Sequence, residues 1–148
     1  MGTKDRTRRR SRAWQIPVRL VTGAFILNSG ITKTSADPDT AASLHGFAAG
    51  TYPPVKQMEP QQFVRLLSTG EIALGSALLT PVVPSIAAGG ALAAFSAGLL
   101  GLYVRTPGMR QEGSIRPTEQ GTAVAKDVWM LGIGAALVID EVLARGSR

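Results

Sequence analysis

Residues 72–104 read IALGSALLTPVVPSIAAGGALAAFSAGLLGLYV, 33 residues without one charge. As a single helix they would extend about 50 Å at ~1.5 Å per residue, against a hydrocarbon core ~30 Å thick. Pro81 and Pro84 sit inside the run. Proline lacks an N–H and clashes with the preceding turn, so a helical hairpin turning at residues 80–84 is the simplest arrangement. The second arm, 84–104, is a full span. The first arm has only Ile72–Leu79 free of charge and must reach back to about Gln61. Glu71 is thereby placed near the middle of a helix by length alone.

Two further apolar stretches flank this hairpin. Pro17–Thr32 carries Arg19 near its start and is followed by Lys33, and the long side chains of both can snorkel toward the interfaces. Val128–Ile139 is only twelve residues, so its helix must begin earlier, near Thr118. The expected fold is all-α: a membrane four-helix bundle with spans at about 17–33, 61–80, 84–104 and 118–143. Residues 16–145 form one domain, and 1–15 a basic, disordered cytoplasmic tail. All nine prolines fall at ends or in loops of this division. Asp37 followed by Pro38 reads as a helix start. Leu44, Phe47 and Ala48 then share a face, which predicts a short surface helix in the first outer loop. A soluble bundle would need a charged face on each helix, and residues 85–103 have none. The N-terminus could also be read as a cleaved signal peptide ending at Thr34-Ser35-Ala36, but Lys33 and the polar Asn28-Ser29-Gly30 fit it poorly.

Charge and composition narrow the function. Met1–Arg19 hold seven basic residues and one Asp, whereas the remainder has nine basic and nine acidic residues. The basicity belongs to a tail, not to a folded face that could grip nucleic acid. Lys4, Arg6, Arg8, Arg9, Arg10 and Arg12 set the N-terminus in the cytoplasm, and four spans return the C-terminus there. Arg105, Arg110 and Arg116 in the third loop run against that rule. The absence of cysteine excludes disulfides, thiolate metal sites and cysteine nucleophiles, and the single histidine, His45, excludes an intrachain bis-histidine haem. Nothing forms a Ser-His-Asp array, so an activity of this chain alone is not expected.

Small residues recur every four positions in the third span: Gly89, Ala93, Ala97, Gly101, and beside them Gly90, Ala94, Gly98. Such stripes let membrane helices approach closely, and the third span is expected to be the most enclosed. Ala73, Gly75 and Ala77 would serve the second span, Gly132 and Ala136 the fourth. An ionised carboxylate in hydrocarbon costs at least ~2.5–3.5 kcal/mol, so Glu71 must be paired, neutral or facing interior water. Depths counted from the outer ends match Glu71 with Lys126. Asp127 is matched with Arg65 or, from the inner side, Arg19. Asn28 adds polarity to the first span. The group Glu71, Lys126, Asp127, Arg19, Asn28 and Arg65 is either a set of structural ion pairs or a proton-accepting or ligand-binding interior.

Arg19, Gly23, Phe25, Ile26, Gly30 and Lys33 in the first span, with Glu71 and Gly75 in Gly70-Glu71-Ile72-Ala73-Leu74-Gly75, resemble the DoxX family of small four-helix bacterial membrane proteins. The likeness covers roughly Pro17 to Leu143. Arg105-Thr106-Pro107-Gly108-Met109-Arg110, Ile115-Arg116-Pro117-Thr118 and Lys126-Asp127-Val128-Trp129 resemble an actinobacterial branch of it. The resemblance implies an accessory subunit of a redox or oxidative-stress membrane complex, partnered by the lipid bilayer and another membrane or redox protein. A quinone would then sit near Glu71, Lys126 and Asn28. A small transporter or proton pathway using Glu71, or a purely structural assembly protein, are the alternatives. The family brings no settled catalytic residues, and this chain carries no thiol for sulfur transfer.

Overall fold

The computed structural model describes residues 13–146; most of the basic tail and Arg148 lie outside them. The described residues form an all-α bundle. Its elements are α1 (Gln15–Lys33), α2 (Pro38–Ala49), a 3-10 turn (Pro53–Gln57), α3 (Pro60–Leu79), α4 (Ser85–Arg105), α5 (Glu119–Ala125) and α6 (Asp127–Gly146). Among the described residues, two helices are long and apolar enough to cross a membrane: Ser85–Arg105 and the joined stretch Glu119–Gly146. The helices α1 and α3, which carry Arg19, Lys33, Arg65 and Glu71, are not among them.

Local chemistry explains the boundaries. The chain leaves α3 at Thr80, turns through Pro81–Pro84 with Val83 N–H donating to Thr80 O at 3.1 Å, and enters α4 at Ser85. Asp37 caps α2, its Oδ1 accepting from Thr40 N–H at 2.7 Å, with Pro38 in the first turn. That backbone hydrogen bond holds the exposed Asp37 carboxyl below its ordinary value. The fourth stretch starts near Thr118 as expected and runs on to Gly146 with one irregular residue, Lys126, whose backbone stays helical. Thr118 caps α5, and Lys126 lies between α5 and α6.

The helices pack as two antiparallel pairs, α1 with α3 and α4 with α6, and the pairs touch each other much less. Glycine makes each pair close. A Cβ on Gly75 would lie 2.6 Å from Leu27 N and 2.8 Å from Gly23 O, so backbone meets backbone. In the second pair, a Cβ on Gly89 would lie 2.7 Å from Gly134 O, and one on Gly134 the same distance from Gly89 O. Between the pairs lies a core of Ile26, Leu74 and Leu78 from one side and Ala88, Leu92 and Leu137 from the other.

Two packing expectations are corrected here. The stripe Gly90–Ala94–Gly98 is not a packing seam, since Cβ atoms added at Gly90 and Gly98 would meet nothing, but α4 is the most enclosed of the four long helices as expected, with seven buried residues against six in α1, six in α3 and three in α6. In α6 the seam residue is Gly134, while Gly132 faces open space. The loop between α1 and α3 does hold a short helix, and α2 packs on the early turns of α3. His45 pins the loop there, its Nε2 2.8 Å from Val55 O and its ring edge-on to Phe63 at 5.8 Å.

Candidate functional site

Two buried polar clusters lie at opposite ends of the α1–α3 pair. The first surrounds Glu71, which is 5% exposed. Lys33 reaches back from the last residue of α1 and donates to Glu71 Oε2 at 2.9 Å and to Ser29 Oγ at 2.6 Å. Ser68, one turn before Glu71, donates to Gly30 O at 2.8 Å. The expected match of Glu71 with Lys126 is thus replaced by Lys33. The reason is axial offset. The part of α3 from Ser68 onward lies along α1, while its first turns run past the end of α1 onto α2. Glu71 therefore sits level with Gly30, about one turn inside Lys33, and not at the depth counted from the start of α3.

The second cluster surrounds Arg19, buried at 9% exposure. Its guanidinium donates to Leu78 O at 2.8 Å, Ala77 O at 2.9 Å, Thr80 O at 3.0 Å and Val83 O at 3.2 Å, and to Ser85 Oγ at 3.3 Å. A helix C-terminus leaves carbonyls without partners, and Pro81 and Pro84 supply no N–H to satisfy them. Arg19 provides the missing donors in a planar fork. From there Ser85 Oγ donates to Gln15 Oε1 at 2.7 Å, and Gln15 Nε2 to Asp140 Oδ2 at 2.6 Å. The chain of bonds joins α1, the hairpin and α6. Glu141, next to Asp140, is buried and bonded by Arg145 at 3.3 Å.

The remaining sequence candidates separate. Asp127 is partly buried and within electrostatic reach of Glu71, but pairs with neither Arg65 nor Arg19. Lys126, Asn28 and Arg65 are exposed. Of the group expected around a quinone headgroup, Glu71 is buried and paired with Lys33, while Lys126 and Asn28 are exposed. No three metal-ligating side chains gather among the described residues. Lys33 was legible only as an interfacial anchor, and Gln15, Ser85 and Asp140 carried no sequence signal, being ordinary polar residues near helix ends. Ser96 Oγ, fully buried one turn beyond Leu92, has no hydrogen-bond partner among the described residues.

The fold and these clusters define a small all-α bundle whose helices are cross-braced by interior polar groups. Comparison with protein-family models, curated proteins and solved structures finds no match to the chain.

Proposed function

We propose that the protein is an integral membrane bundle of four spans with both termini cytoplasmic, serving as a non-enzymatic accessory subunit of a membrane complex. The DoxX resemblance directs the proposal to a bacterial inner-membrane redox or oxidative-stress complex. The observation that carries the accessory role is the commitment of the interior polar groups to bracing: Glu71 to Lys33, and Arg19 to the hairpin carbonyls. A proton pathway would need Glu71 to meet water, and its carboxylate is buried and held. The membrane location is supported by the large apolar side chains left exposed on α1 and α6, among them Leu20, Val21, Phe25, Trp129, Ile139 and Leu143, which lipid would cover.

The test is to wash native membranes with alkaline carbonate, solubilise them in mild detergent and purify the chain. It is expected to stay in the washed membrane and to bring a redox enzyme with it in near-stoichiometric amount. Release by carbonate defeats the membrane placement; recovery of the chain alone defeats the accessory role.

A further inference from the structure

The exposed side of α3 differs from that of its neighbours. On α1 and α6 the uncovered residues are mostly large and apolar. On α3 they include Gln62, Arg65, Thr69, Gly70, Ala73 and Ser76, with Leu66 the one large apolar residue among the exposed positions. Hydroxyls facing lipid commonly turn back on their own helix, as Thr32 does to Asn28 O at 2.9 Å and Thr80 to Ser76 O at 2.7 Å. Those of Thr69 and Ser76 form no such bond, Arg65 has no ion pair or hydrogen bond among the described residues, and a side chain at Gly70 would meet nothing. Polar residues in a membrane turn toward protein or water, because lipid offers them no hydrogen bonds.

We propose that this face of α3 docks a transmembrane helix of another protein, one that carries an Asp or Glu near its outer end opposite Arg65. The proposal deepens the accessory-subunit reading and rests on its membrane placement. Arg65 is one turn outward of Ser68, so its charge lies at the outer interface. Thr69 to Ser76 continue about 10 Å into the bilayer, where small and hydroxyl side chains allow close approach and hydrogen bonding. A second copy of this chain is disfavoured by charge: an isologous contact about α3 sets Arg65 against Arg65.

The test uses the full chain in native membranes, with a benzophenone amino acid at Thr69 or Ala73, and at Phe25 on α1 as the lipid-facing control. The expected result is one protein adduct from Thr69 and Ala73, absent from Phe25. Its captured segment is a membrane helix with an acidic residue near its outer end. Yield falls at least tenfold with Arg65→Glu and returns when that acidic residue is changed to Arg. Arg65 is exposed and forms no hydrogen bond or ion pair among the described residues, so unchanged thermal unfolding of Arg65→Glu shows that folding is not the cause. Lipid adducts only, an adduct of twice the chain mass, a yield indifferent to Arg65→Glu, or a loss not restored by the swap each overturn the proposal. Carbonate extraction of the same membranes isolates the other failure: release of the chain refutes the membrane placement itself.

Discussion

Glu71 and Arg19 show two ways of keeping charge inside a bundle. Glu71 takes a counter-charge from Lys33, whose side chain is 21% exposed and so retains some water. Removing one member of such a pair strands the other, while removing both relieves the desolvation cost. Lys33→Met should therefore destabilise by about 2–4 kcal/mol, and Lys33→Met with Glu71→Gln should recover most of it. Thermal unfolding in mild detergent checks this; a double variant no better than the single one contradicts the pairing. Arg19 takes no counter-charge in its fork of carbonyls. Arg19→Lys keeps the charge but offers three donors as a point, not five in a plane. A loss of about 2–3 kcal/mol is expected in the same assay, and an unchanged melting temperature would mean that the hairpin closes without the fork.

Among the elements, the helix pairs depend on where glycine sits and not on how many glycines a helix has. Gly75→Ala places a methyl group against the backbone of α1 and should cost about 1–3 kcal/mol or more through forced separation. Gly90→Ala, which meets nothing, should be neutral or gain up to about 1 kcal/mol from helix propensity. Measuring the two variants side by side separates seam from surface, and equal effects would argue against the pairing of α1 with α3. The cap of α2 responds to acid. Because Asp37 is held below its ordinary value of 3.8, its contribution is complete above that pH and is lost as pH falls through the lowered folded value. Amide exchange at Thr40 should stay protected at pH 5, open as the solution is acidified below 3.8, and lose its acid sensitivity in Asp37→Asn.

Across the whole molecule, ties at both ends join two glycine-seated pairs. The Arg19–Ser85–Gln15–Asp140 chain closes the hairpin end. At the other end Tyr52 donates to Gly98 O at 2.6 Å, and Thr51 Oγ1 lies 3.4 Å from Thr106 Oγ1. The proposed topology places the Tyr52 end outward. Since the chain has no cysteine, single substitutions Ser43→Cys and Ser114→Cys should react with a membrane-impermeant maleimide in intact cells, and Val82→Cys only after lysis. The reverse pattern would invert the orientation.

Much of the architecture is local and therefore legible. A charge-free run of 33 residues broken by two prolines is a hairpin in any context, and Asp37-Pro38 starts a helix from its own hydrogen bond. Glu71 could be placed mid-helix from the length of the hairpin's first arm. What it meets there was not local. Lys33 is 38 residues away, and whether it or Lys126 arrives depends on how far α3 slides along α1. Depth counting assumed helices that start from a common plane; backbone contact at Gly23, Gly30 and Gly75 seats α3 with its first turns beyond the end of α1. Residue order alone therefore determined which segments are helical, where the chain reverses and that Glu71 is enclosed, though not that Glu141 is. Partners, offsets and the bracing by Arg19 were decided only by tertiary packing, because close backbone contact sets the relative sliding of two helices and spacing along the chain does not encode it.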